Sequence, residues 1–164
     1  MRVRKSHLTE MMSSPLPLIS EQKRLCYRPT IENTVYTYRC LNHYIFNNEL
    51  KIPKITLQPR MRDIWGMCRG NYERDKKTKS YCTIQLMDKF YCEQWFLLVL
   101  AHEMCHQYQW DIIGDQRREK GINPIMSHGP SFFYFRDELN EFGIPLKTGI
   151  SIRKWFLTQD FIKC

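Results

Sequence analysis

No C-x-x-C pair occurs anywhere in the 164 residues. The seven cysteines (Cys26, Cys40, Cys68, Cys82, Cys92, Cys105 and Cys164) are odd in number and widely scattered, which argues against a four-cysteine zinc module and against a disulfide framework. Long apolar runs are also missing. The longest, Trp95 to Ala101, falls far short of the roughly 18 to 20 residues that a membrane-spanning helix needs. The N-terminus opens with positive charge but no uninterrupted apolar stretch follows, and Glu10 falls where one would lie, so a cleaved secretion signal is not expected. Repeats and low-complexity tracts are absent. These absences lead to the expectation of a reducing intracellular compartment, cytoplasm or nucleus and nucleoid, with most thiols buried as small apolar groups and no membrane partner.

What is present fits a single globular domain. The chain is 43% apolar and 13% aromatic, and its length is enough to bury a sizeable core. Residues 1–28 mix charge, serine and two prolines with poor periodicity and read as a weakly structured tail with room for one short helix. Residues 29–164 read as one domain. Twenty-five Lys and Arg against 17 Asp and Glu give a formal net charge of +8, an excess that favours a polyanionic partner, nucleic acid being the commonest.

From Thr30, a plausible N-cap, Ile31, Val35, Tyr38, Leu41 and Ile45 recur at helical spacing, and Asn47 and Asn48 form a stop. "KITLQ", "DIWGMCRGNYE" and "KSYCTIQL" then predict three strands. In the last, Cys82, Ile84 and Leu86 alternate with polar neighbours. The polar, basic "ERDKKTK" between the second and third suits a hairpin turn, so the sheet is expected to be small and mostly antiparallel. Asp88 is placed to cap a long helix running to about Ile113, on which Trp95, Leu98, Val99, His102, His106 and Gln109 share one side. "GDQRREKGINP" reads as a loop, "GPSFFYFRDELNEF" as a helix stopped by Gly143 and Pro145, and "SIRKWFLT" as a closing strand.

The chemistry lies at "LAHEMCHQYQW", where two histidines and a glutamate form H-E-x-x-H. Histidines at i and i+4 of a helix bring two nitrogens within reach of one zinc ion. Glu103, beside the first, is placed to take a proton from a metal-activated water and deliver it to a leaving amine. The motif sits in an apolar helix, where three unsatisfied polar groups would each cost roughly 1 to 3 kcal/mol; a shared metal removes that cost. Of the five histidines, His7 falls in the tail and His43 on the first helix, both with surface or packing roles expected. His128 is the preferred third ligand, with Glu138 or Glu141 as alternatives. Cys105 lies about 100° from His106 around the helix and points elsewhere. Tyr108, Tyr134 and Arg136 are the candidates for an oxyanion-stabilising group, and the sequence does not choose among them. Trp65, Trp95 and Trp155 read as core or rim.

The combination "LAHEMCHQY … SHGPSFF" resembles the SprT-like metallopeptidases, which include the Spartan-type DNA-dependent proteases. In that family the HExxH helix is followed by a His-Gly motif bearing the third ligand, matched here by "HGPSF" at His128–Phe132. Upstream, "LNHYIFNNELKIPKITLQPRM", "GMCRGNY" and "YCTIQL" are similar to the family's helix, strand, glycine-centred turn and strand. The resemblance spans Thr30 to Leu146. It implies His102, His106 and His128 as metal ligands, Glu103 as catalytic acid and base, and protein substrates bound to or crosslinked with DNA. One departure stands out: no paired cysteines build the C-terminal zinc ribbon that many relatives carry. DNA contact would then fall to the chain's own cations, Arg69, Arg74, Lys76, Lys77 and Lys79 in the hairpin and Arg117, Arg118 and Lys120 after the zinc helix.

The expected architecture is α+β and zincin-like: a sheet of about three strands packed on a long HExxH helix, with further helices before and after. The expected function is hydrolysis of peptide bonds by Glu-assisted attack of zinc-bound water, with one Zn2+ ion, on DNA-associated or DNA-crosslinked proteins. The alternative is a non-enzymatic nucleic-acid or protein-binding module in which zinc is only structural.

Overall fold

Thr30 starts the first long helix as its position predicts. Its Oγ1 accepts from the Asn33 amide at 3.1 Å, satisfying one of the donors a helix N-terminus leaves open. In the computed structural model, which describes residues 2–14, 27–59, 61 and 64–148, this helix, α2, spans Ile31–Tyr44. It ends where Asn47 and Asn48 turn the backbone to φ of 52° and 59°, the left-handed region that asparagine tolerates. Ahead of it, α1 spans Lys5–Ser13 and buries Leu8 and Met11. Part of the stretch expected to be a weakly structured tail therefore belongs to the core: α1 contacts both α2 and the central helix.

Three strands follow, β1 (Lys54–Gln58), β2 (Gly66–Gly70) and β3 (Cys82–Met87). In β3 the alternation read from the sequence holds, with Cys82, Ile84 and Leu86 buried. β3 is the central strand. β2 pairs with it antiparallel through the expected hairpin, in which Asp75 Oδ1 accepts from the Lys77 and Thr78 amides at 2.9 Å and 2.7 Å. β1 pairs with it parallel, Ile55 opposite Ile84. The sheet is thus mixed rather than mostly antiparallel. Period-two alternation is identical in both pairings, so side-chain pattern does not reveal the direction of a neighbour.

The helix carrying H-E-x-x-H, α3, spans Glu93–Tyr108. It does not start at Asp88. The Asp88 amide donates to Gln58 O, and Phe90 makes an antiparallel bridge with Tyr27, which takes the Phe90 N–H out of any helix, and Cys92 is the residue that precedes α3. Nor does it stop at Ile113: a π-helical turn over Gln109–Ile113 leads directly into α4, Gly114–Glu119. The first part of the expected "GDQRREKGINP" loop is therefore helical. Every residue of α3 from Gln94 to Tyr108 is buried, because β2, β3, α1 and α2 all contact it. A helix covered on all sides needs no single apolar face.

Gln107 on this helix and Asp111 on the π turn share one buried hydrogen-bond network. Asp111, 8% exposed, accepts from Ser80 Oγ at 2.6 Å, the Tyr81 amide at 2.9 Å and Gln107 Nε2 at 2.9 Å. Gln107 Oε1 accepts from Tyr38 OH at 2.9 Å, and Gln107 Nε2 also donates to Lys51 O. This network ties α2, the start of β3 and the π turn together. Beyond α4, residues 129–135 form tight turns rather than the start of a helix, with Phe132 N–H donating to Gly129 O and Phe133 N–H to Pro130 O. α5 is limited to Arg136–Glu141, and Gly143 at φ +72° provides the expected stop. Residues 149–164, with the expected closing strand and Trp155, lie outside the described residues. Among the described residues no helix is long and apolar enough to cross a membrane.

Candidate metal centre

His102 and His106 project from successive turns of α3, their ring centroids 4.9 Å apart. His128 comes from the segment between α4 and α5 and closes on both. Its Nε2 lies 3.2 Å from His106 Nε2 and 3.3 Å from His102 Nε2. Phe132, fully buried, packs against all three imidazoles with centroid distances of 4.8, 4.7 and 4.8 Å. Four residues after His128, it is the apolar wall against which they converge.

Hydrogen bonds on the far side of two rings decide where the protons sit. His102 Nδ1 faces the Lys147 carbonyl at 2.9 Å, and His106 Nδ1 faces Gln109 Oε1 at 3.0 Å. Both partners are acceptors, so both Nδ1 atoms carry hydrogen and both Nε2 atoms present lone pairs. Burial keeps the rings neutral. It pulls His102 down to about 3, with His106 adding to the effect, and lowers His106 as well. Two lone pairs thus converge on the point that His128 Nε2 also reaches, an arrangement that suits a cation. Zinc–nitrogen bonds of about 2.0 to 2.1 Å at tetrahedral angles place neighbouring nitrogens about 3.3 to 3.4 Å apart, close to the spacings seen here. The donor set fits a zinc ion, and among the described residues it is the one His, Cys, Asp and Glu group of this kind.

Glu103 lies beside the cluster, 6% exposed. Its Oε2 accepts from the Cys68 amide on β2 at 2.6 Å. Burial raises its carboxyl to about 8, opposed by that amide; a divalent cation nearby pulls the value back down. The strand approaches this closely because residue 66 is glycine. A Cβ there would lie 2.7 Å from Val99 Cγ1 and 2.9 Å from Glu103 Oε1.

The remaining sequence candidates separate clearly. Glu138 and Glu141 are exposed on α5 and outside the cluster, and Cys105 is buried with its thiol pushed up by that burial. Tyr108 turns into an aromatic group with Phe46, Phe135 and Tyr134, while the Arg136 guanidinium lies over Phe133. His7 bonds Thr37 Oγ1 at 3.0 Å, and the exposed His43 pairs with Asn48. Trp95 is buried and Trp65 packs edge-on against it.

The two basic stretches lie side by side: Arg74 on the hairpin bonds Asp115 on α4, and the Arg118 guanidinium sits 3.9 Å over the Tyr81 ring. Arg117 donates to Asn123 O and Arg118 to Trp110 O. Arg69, Lys76, Lys77, Lys79 and Lys120 are exposed. Sequence reasoning missed the Lys147 carbonyl, the Cys68 amide and Phe132. The first two are backbone groups, which carry no residue signal.

A model of the SprT-like family matches residues 36–151 of the chain. No curated protein matches it.

Proposed function

Because the chain belongs to the SprT-like family of HExxH-type metallopeptidases, we propose that it hydrolyses peptide bonds of DNA-associated or DNA-crosslinked proteins. In this reading one zinc ion is held by His102, His106 and His128, with Glu103 as acid and base. When bound, zinc supplies a Lewis acid that brings the pKa of a bound water down toward about 7. Glu103 accepts the proton. The Cys68 N–H occupies Oε2, which leaves Oε1 to take the proton and return it to the departing amine nitrogen. The same hydrogen bond fixes the carboxylate's orientation, so little reorganisation accompanies the transfer. Burial at the helix centre limits competing water around the carboxylate.

The observation that carries this reading is the convergence of three Nε2 atoms within 4.8 Å of one another next to a buried carboxylate with one oxygen tethered. A purely structural zinc site is closed and has no use for such a carboxylate. Support for DNA comes from the formal charge of +8 and from the basic flank formed by the hairpin and α4. Arg69, Lys76, Lys77, Lys79 and Lys120 are its exposed members, while Arg74, Arg117 and Arg118 also make the internal contacts described above.

The test is cleavage of a DNA-binding protein, and of the chain itself, with and without single- or double-stranded DNA, for wild type and Glu103→Gln, with zinc content measured in each. Cutting that requires DNA and vanishes in the zinc-loaded variant is expected. Zinc-loaded wild type that binds DNA yet cuts nothing would establish the binding module instead.

A further inference from the structure

Every hydrogen-bonding valence of the Gln109 amide is used at the metal centre. Oε1 accepts from His106 Nδ1–H at 3.0 Å and from the Ser127 amide at 3.3 Å. Nε2 donates to the Ser127 carbonyl at 2.9 Å and to Ser131 Oγ at 2.7 Å. The side chain is 1% exposed. Ser127 offers both a donor and an acceptor, and only this direction of the amide satisfies both. Gln109 opens the π turn, its carbonyl accepting from the Gly114 amide five residues on. Such turns inside α-helices recur at functional sites.

Two consequences meet in this one side chain. The acceptor on Nδ1 selects the tautomer of His106 in which Nε2 is a lone pair, the form a metal requires. The remaining bonds hold Ser127, immediately before His128, and Ser131, three residues after it. His128 is the exposed member of the trio and the one not carried by α3, so its position depends on how this segment is anchored. His102 obtains its acceptor from a backbone carbonyl. Gln109 is the only described side chain that accepts from a ligand's Nδ1.

We propose that Gln109 is a positioning residue of the metal centre, setting the tautomer of His106 and the place at which His128 meets it. The inference rests on the metal-centre reading of the three histidines. It also accounts for the residue type. A glutamate here would still accept from His106 and from the Ser127 amide, and Ser131 would turn its own O–H toward it, but it has no donor for the Ser127 carbonyl.

The experiment combines nitrogen-15 NMR of histidine-labelled, metal-free full chain with zinc competition against a chromophoric chelator and thermal unfolding of each variant. In wild type His106 is expected as the Nδ1–H tautomer. Gln109→Met is expected to give mixed tautomers at His106 and zinc binding weakened about 10- to 100-fold. A folded Gln109→Met protein with wild-type tautomer and zinc affinity overturns the proposal. Should that variant not fold, Gln109→Glu decides: it is expected to keep the Nδ1–H signal at His106 and, having no donor for the Ser127 carbonyl, to shift the His128 ring signals, and His128 signals identical to wild type overturn the proposal. Wild type that shows the tautomer but takes up no zinc would overturn the metal reading instead.

Discussion

The Cys68 amide of β2 donates to Glu103 Oε2 across 2.6 Å, joining an edge of the sheet to the acid/base candidate on the buried helix. The contact depends on Gly66, two residues earlier, having no side chain. Gly66→Ala would drive a Cβ to 2.7 Å from Val99 Cγ1 and 2.9 Å from Glu103 Oε1. We expect a loss of about 1 to 3 kcal/mol in stability and a drop in kcat of about tenfold or more, with zinc content unchanged. Wild-type kcat in the folded variant would remove the strand from the account of catalysis.

Removing the metal exposes the titration of the site. His102 stays neutral down to about 3 when folded, whereas an unfolded imidazole protonates near 6.5. Below 6.5 the unfolded chain takes up a proton that the folded chain refuses, so stability falls as pH drops toward 3. Glu103 acts in the opposite sense. Folded, its carboxyl keeps its proton up to about 8, while unfolded it ionises near 4.5, so stability falls as pH rises from 4.5 to 8. Melting temperatures of chelator-treated protein are therefore expected to be highest between 4.5 and 6.5 and to decline on either side. A steady rise through neutral pH would contradict the buried, protonated Glu103. Zinc should raise the melting temperature more at neutral than at acid pH, because protons compete for the imidazoles.

Phe132 makes contact with all three imidazoles and is fully buried. Phe132→Ala is expected to cost about 3 to 5 kcal/mol. Phe132→Leu, which keeps most of the volume, should cost less and still weaken zinc, because the flat wall that fixes the ring planes is lost. Zinc affinity of the Leu variant equal to wild type would reduce Phe132 to ordinary core packing.

Asp111 tests the scaffold apart from the site. Asp111→Ala leaves Ser80 Oγ, the Tyr81 amide and Gln107 Nε2 without that acceptor. We expect a loss of about 2 to 4 kcal/mol with the tautomers of His102 and His106 unchanged. A change at those rings would mean that the network also controls the metal centre.

The site was legible in the sequence where residue type and spacing carry the chemistry. His102, Glu103 and His106 follow from a helical repeat, and His128 from its place just ahead of an aromatic run. Helix α2 was legible from Thr30 to the paired asparagines, and β3 from its alternation. What escaped depends on tertiary context. Asp88 has the composition of a cap, but the Phe90 amide it would cap is held by the Tyr27 carbonyl, which a local pattern cannot show. The π turn has no sequence signature, so the helix was expected to end at about Ile113 rather than continue into α4. Parallel pairing of β1 escaped because strand direction leaves no trace in side-chain period. Gln109 was placed on the histidine side of the helix, yet its bonds to Ser127 and Ser131 depend on a segment some twenty residues away.

The acceptor for His102 is the main-chain oxygen of Lys147, beyond the end of α5. The bond uses no side-chain atom of residue 147, so a comparison of side chains alone would overlook its contribution. It also limits how far the domain can be shortened. A fragment ending with α5 would retain all three histidines and Glu103 but lose the acceptor on His102 Nδ1, so a fragment meant to keep that bond has to include Lys147.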